Sequence, residues 1–233
     1  MKLNKKQKPK VAIIDYEMCN LFSVNHSCLH VGLEAHITSD ISFILKSDGV
    51  ILPGVGAFGD AMKNMKRFDL INPIKDFIAT GKPFMGICLG MQLLMSESEE
   101  FGIFKGLDII NGTVVKFRSK KSDGSIIKVP QVGWNAIYNH KNEDSDAWRN
   151  TALENLKNGE YMYFVHSFFV VPSDDSVVLS LTRYEETEFC SSIVCKNITA
   201  FQFHPEKSAI EGIKIYRNWA KIVEIDKENR LNE

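Results

Sequence analysis

A single α/β domain, with a central mixed and mostly parallel sheet flanked by helices, is predicted by three observations. Short continuous apolar runs alternate with helical periodicity through the first ninety residues, the rhythm of parallel strands joined by crossover helices. The run at 82–87 passes directly into helical sequence through Gly86-Ile87-Cys88-Leu89-Gly90. Beyond residue 108 the chain carries many short β-rich runs, which suit antiparallel or mixed strands added to the same sheet.

The elements follow in order. Residues 10–14 form an apolar run ending at Asp15, as a buried strand would. Residues 20–31 have helical spacing and stop at Gly32, a C-terminal helix signal. Strands are expected at 33–38 and 49–52, the second closed by Pro53-Gly54-Val55-Gly56. One or two helices fill 58–80, broken near Pro73 and ended by Gly81. A third buried strand, 82–87, leads into a helix at 89–96. The later strands are expected at 113–117, 126–129, 161–164, 177–181, 189–195 and 198–203. An acidic loop around 142–146 reads as exposed, and residues 209–225 read as a closing amphipathic helix. The division is then a basic tail at 1–9, one domain at 10–225 and a polar tail at 226–233.

Bulk properties narrow the function classes. With 233 residues, 44% of them hydrophobic, the chain can bury one sizeable core. A formal net charge of -1 gives no basic field for nucleic acid. No apolar run is long enough for a transmembrane helix. The lysine-rich start, MKLNKKQKPK, lacks an apolar stretch and reads as a solvated lead-in rather than a signal peptide. Five cysteines, an odd number without a Cys-x-x-Cys pair, point to a reducing cytoplasm rather than a disulfide framework. His26, Cys28 and His30 alternate within a helix and so point to different faces, which argues against a metal site.

Three motifs carry chemistry. In Gly86-Ile87-Cys88-Leu89-Gly90 a cysteine sits at a strand-to-helix turn between glycines, the layout of a nucleophile elbow. A helix N-terminus beside it favours a thiolate. In Phe203-His204-Pro205-Glu206 a histidine follows an apolar strand, and Glu206, two residues on, could orient its ring. The third motif, Pro53-Gly54-Val55-Gly56, offers glycine-flanked backbone at a strand end. Amides of Val55, Gly56 and Leu89 could there hold an oxyanion.

Together these motifs resemble the class I (triad) glutamine amidotransferases. The segments Leu52-Pro53-Gly54-Val55-Gly56-Ala57-Phe58, Gly86–Gln92, Val132-Gly133-Trp134-Asn135, Tyr163-Phe164-Val165-His166-Ser167 and Gln202–Ser208 narrow the likeness to glutaminase subunits of imidazole glycerol phosphate synthase, over about residues 10–219. The resemblance implies a cytoplasmic enzyme with a Cys88, His204, Glu206 triad, no metal and no organic cofactor. Gln92, Glu100, Ser167 and Phe168 match the glutamine pocket, with Glu100 the charge partner of the α-ammonium. Trp134, Asn135 and Lys207 match the surface that meets a (β/α)₈ barrel synthase, the heterodimer partner that receives ammonia. That synthase forms imidazole glycerol phosphate and AICAR in histidine biosynthesis. Such a glutaminase is expected to idle alone, its oxyanion strand at 53–56 turned the wrong way until the partner docks.

The chain departs from the family where Asp-Tyr-Gly-Met-Gly-Asn becomes Asp15-Tyr16-Glu17-Met18-Cys19-Asn20, and where Pro-His-Met-Gly-Trp-Asn becomes Pro130-Gln131-Val132-Gly133-Trp134-Asn135. These changes leave the triad intact. They keep open a paralogous branch that supplies ammonia to sugar-modifying synthases of surface polysaccharides. A different class of reading is an inactive regulatory protein, against which the intact triad argues.

Overall fold

A computed structural model describes residues 7–140 and 148–232. Thirteen strands among them form the sheet. β1 (Lys10–Ile14), β2 (Glu34–Thr38), β3 (Gly49–Gly54), β4 (Phe84–Cys88) and β13 (Ile198–Phe201) make its parallel core, in the order β2-β1-β3-β4-β13. The helices α1 (Leu21–His30), α2 (Ile41–Lys46), α3 (Phe58–Arg67) and α4 (Ile71–Ala79) connect its first strands, and α5 (Leu89–Leu93) follows β4.

The remaining strands extend the sheet. They are β5 (Met95–Ser98), β6 (Phe104–Lys105), β7 (Ile110–Lys116), β8 (Gln131–Asn139), β9 (Glu160–His166), β10 (Phe168–Pro172), β11 (Val178–Tyr184) and β12 (Thr187–Cys195). The order continues β13-β12-β10-β7-β5-β6, mainly antiparallel. A branch runs from β12 through β11 and β8 to β9, antiparallel throughout. That branch brings the end of β9 toward the carboxyl edge of the parallel core. The closing helix is α6 (Ala209–Asn232).

Both faces of β1, β3, β4 and β13 are covered, which is why they read as apolar runs, while the edge strand β2 is partly exposed. Alternate residues take opposite sides. Ala12, Ile14, Val50, Leu52 and Phe84 pack with Ile44, Phe58, Met65 and Phe77 of helices α2 to α4. Val11, Ile13, Ile51, Met85 and Ile87 pack with Val24 and Cys28 of α1 and with Ile215, Trp219 and Val223 of α6. The α6 contacts Gly212, Ile215, Tyr216, Trp219 and Val223 are a helical stripe. Trp219 lies so close to β3 that a Cβ on Gly49 would sit 3.1 Å from its ring.

Several expected boundaries are corrected. The break in 58–80 falls at Phe68–Leu70, where Asp69 has φ 53°, not at Pro73. Pro73 stands in the first turn of α4, where a missing N–H costs little. The helix at 89–96 is only α5, because Met95–Ser98 joins β7 as a parallel strand. Residues 126–129 form no strand; Ile126 makes one isolated bridge to Lys120. The helix α2 and the strands β6, β8 and β10 are additions to the elements expected. The expected polar tail at 226–233 is instead the last turns of α6 through Asn232, where Lys227 and Arg230 pair with Asp48. The acidic loop at 142–146 and residues 1–6 of the basic tail lie outside the described residues. In α1, Cys28 faces the core, while His26 and His30, one turn apart, share the exposed side, so only Cys28 faces away from the other two.

Candidate active site

The elbow is built by close backbone contact. Cys88 ends β4 with φ 53° and ψ -109°, left-handed backbone that a side-chain-bearing residue adopts only under constraint. The constraint is visible at Gly90, where a Cβ would stand 1.8 Å from the carbonyl oxygen of Leu52. A Cβ on Gly86 would touch Ala200 and Gly90, each at 3.2 Å. Both glycines let α5 start directly against β3 and lift Cys88 to the sheet's carboxyl edge.

The adjacent parallel strand, β13, leads to His204, the base expected from the sequence. Three residues past its end, His204 is pinned: its N–H donates to Tyr163 O at 2.9 Å, and its carbonyl accepts from Ser208 Oγ at 2.7 Å. Glu206 lies in a short 3-10 turn, Pro205–Lys207, rather than in the extended segment expected. That turn still brings its Oε1 2.7 Å from His204 Nδ1, with both side chains about 3% exposed. A carboxylate on Nδ1 fixes the tautomer that leaves Nε2 for the nucleophile. Burial disfavours a charged ring. The opposing charge of Cys88, with contributions from Glu206, outweighs it and raises the His204 pKa to about 10. His204 Nε2 makes no complete hydrogen bond in this resting geometry. Cys88 is nevertheless close enough to bias its protonation.

In front of Cys88 opens a cavity of about 370 Å³, lined by Val55, Gly56, Leu89, Gln92, Glu100, Val165, His166, Ser167, Phe168 and Lys207. Four residues expected in the glutamine pocket, Gln92, Glu100, Ser167 and Phe168, thus share one cavity with the nucleophile. Their polar atoms are partly committed inside the protein. Gln92 Nε2 donates to Phe168 O at 2.9 Å and Gln202 Oε1 at 3.1 Å. Glu100 Oε2 accepts from the Phe58 N–H at 2.7 Å, and Ser167 O accepts from Phe117 N–H at 3.0 Å. Burial raises the Glu100 carboxyl above its ordinary value, only partly offset by that Phe58 bond.

On the opposite flank stands the strand end 53–56. The Val55 N–H, expected as an oxyanion donor, donates instead to Met18 O at 2.8 Å. Gly56 has φ 109°, open to glycine. Leu89 N–H begins α5 directly behind Cys88.

Two further residues at the site lie inside the quoted motifs, but the sequence assigns them no role there. Gln202 Nε2 lies 3.7 Å from Cys88 Sγ, and Gln202 is fully buried. His166 is buried, its Nδ1 2.9 Å from Phe168 O, and burial lowers its pKa to about 4. A signal for His166 was present: Met162, Phe164 and His166 are the inward, period-two positions of β9. Trp134 and Asn135 lie on β8. Trp134 is 53% exposed and stands edge-on to Tyr163, while Asn135 Nδ2 donates to Arg183 O. The Lys207 ammonium sits over the same Tyr163 ring at 5.9 Å.

Comparison with known proteins identifies the family. The family described as glutamine amidotransferase class-I matches residues 12–222. The imidazole glycerol phosphate synthase subunit HisH of Geobacter sulfurreducens is 42% identical over 91% of this chain and 99% of its own. The protein of the same name from Rhodopirellula baltica is 45% identical over 90% and 96%. The glutaminase domain of Trypanosoma brucei CTPS, solved with bound acivicin, superposes with a TM-score of 0.63 over 94% of each chain, at 14% identity, a likeness of fold. The chain belongs to the class I glutamine amidotransferases, among the HisH subunits of imidazole glycerol phosphate synthase.

Proposed function

We propose that this chain hydrolyses glutamine as the ammonia-supplying subunit of an imidazole glycerol phosphate synthase, with Cys88 as nucleophile. The observation that carries the reading is the buried His204–Glu206 pair at 2.7 Å, placed beside a cysteine held at φ 53° over a cavity. Cys88 Sγ attacks the side-chain carboxamide carbon, and the carbonyl oxygen becomes an oxyanion. Leu89 N–H, joined by the Val55 N–H once its peptide turns, stabilises that charge. His204 gives its proton to the departing ammonia, leaving a thioester. It then takes a proton from water, which attacks the thioester and frees glutamate and the thiol.

Glutamine fits the pocket's chemistry. Glu100 supplies a carboxylate for the α-ammonium, and Ser167 and Phe168 line the facing wall. Ammonia passes to a barrel synthase that docks across Trp134, Asn135 and Lys207, a surface whose exposed Val132, Trp134 and Tyr161 suit an apolar partner. Cys88→Ala should abolish glutaminase activity while the synthase still runs on external ammonia. A glutamine-mimicking chloroketone should label Cys88 and spare Cys190 and Cys195. Labelling elsewhere would sink the mechanism. Growth of a histidine auxotroph lacking its glutaminase tests the pathway. Failure of well-folded protein to complement would favour the sugar-modifying branch.

A further inference from the structure

The turn after β1 holds the start of the oxyanion strand from three points. The Val55 N–H donates to Met18 O at 2.8 Å. Two residues earlier, the Pro53 carbonyl accepts from the Tyr16 hydroxyl at 2.8 Å and from the Cys19 thiol at 3.1 Å. The Val55 N–H belongs to the Gly54–Val55 peptide, the unit that must rotate to present a donor to the site, and the Pro53 carbonyl belongs to the peptide before it, across Gly54. Turn and strand are in close contact. A Cβ on Gly54 would stand 2.1 Å from Tyr16 Oη, and one on Gly56 would stand 2.7 Å from Met18 Cε.

We infer that Cys19 is a positioning residue whose thiol, with the Tyr16 hydroxyl, clamps the Pro53 carbonyl and holds the oxyanion strand with its donor averted. The inference rests on the reading of the site as a partner-gated glutaminase. The glycine usual at this position in the resembling family has no side-chain donor, so the clamp is a feature of this chain. Burial pushes the Cys19 thiol up to about 12, against the lowering effect of its bond to Tyr16. It therefore remains a neutral S–H donor through the neutral pH range. A sulfur donor is weak, so the clamp biases a two-state equilibrium rather than locking it.

The basal rate scales with the fraction of molecules whose donor faces the site. Cys19→Ala should raise synthase-free kcat about five-fold at unchanged KM, the size of one modest hydrogen bond. Cys19→Ser, which keeps a donor, should stay near the wild type. Both should reach the wild-type rate with the synthase and its ligand bound. Exchange of the Val55 amide hydrogen gives a second readout, and should quicken by the same factor in Cys19→Ala. Unchanged basal kcat and unchanged exchange in Cys19→Ala would overturn the clamp, as would Cys19→Ser behaving like alanine. Normal chloroketone labelling of Cys88 alongside that result would leave the glutaminase reading standing. Unlabelled Cys88 with no stimulated activity in the wild type would remove both.

Discussion

The two flanks of Cys88 are in different states. On one side the proposed base is held in place: His204 is buried, bonded to Glu206 and fixed through its own backbone to Tyr163 and Ser208. On the other, the oxyanion strand is docked against the turn at 16–19, its Val55 donor spent on Met18. On the proposed mechanism, the base and its carboxylate partner are in place while the Val55 oxyanion donor is withheld. In that mechanism, a gate on the oxyanion side leaves the buried His204–Glu206 pair in place and needs only a peptide rotation to switch.

The sharpest way to break this comparison is to damage the assembled flank. His204→Asn should lower glutaminase kcat about ten-thousand-fold even with the synthase bound, since triad members act as a unit. Glu206→Gln should cost less, as it removes orientation and charge but not the base. Ammonia-dependent synthesis by the complex should survive both. Its loss would assign these residues to the fold of the complex.

The withheld flank predicts the next largest effect. Binding of the synthase with its ligand should raise kcat about a hundred- to a thousand-fold, the usual worth of one oxyanion donor. Full activity of the isolated chain, measured as glutamate release, would show that the Val55–Met18 bond gates nothing.

A pH series tests how dry the assembled side is. Burial holds the His166 pKa at about 4 in the folded chain, below the ordinary value of 6.5. The unfolded chain therefore binds the extra proton first as pH falls. The His166 contribution is fully present above about pH 6.5 and is lost as pH falls toward about 4, up to about 3 kcal/mol in all. Denaturant unfolding across that window should be flatter in His166→Gln than in the wild type; equal slopes would mean that His166 is solvated.

The smallest expected effect is steric. Gly54→Ala would place a methyl 2.1 Å from Tyr16 Oη and 3.0 Å from Leu89 Cβ. Stability should fall by about 1–3 kcal/mol, with stimulation by the synthase reduced further than the basal rate. Equal loss in both rates would mean that the strand does not move between the two states.

Much of this molecule was determined by the sequence alone. Buried parallel strands are local and unbroken in apolar character, so β1, β3 and β4 were legible within two residues of their ends. The elbow was legible because so tight a turn needs glycines at fixed spacing around Cys88. The antiparallel half was read less well. β8 and β10 alternate exposed and buried positions irregularly, and their pairing partners lie far along the chain. Residues 95 and 96 read as the end of a helix in sequence until β7 offers the backbone of Met95–Ser98 a ladder. Tertiary structure alone placed Gln202 against Cys88, and it decided that the inward position of His166 on β9 opens on the cavity rather than the core. It alone decided the destination of the Val55 N–H as well. A backbone donor has no residue type to betray it, and which carbonyl it meets depends on how a turn from the first strand folds over the third.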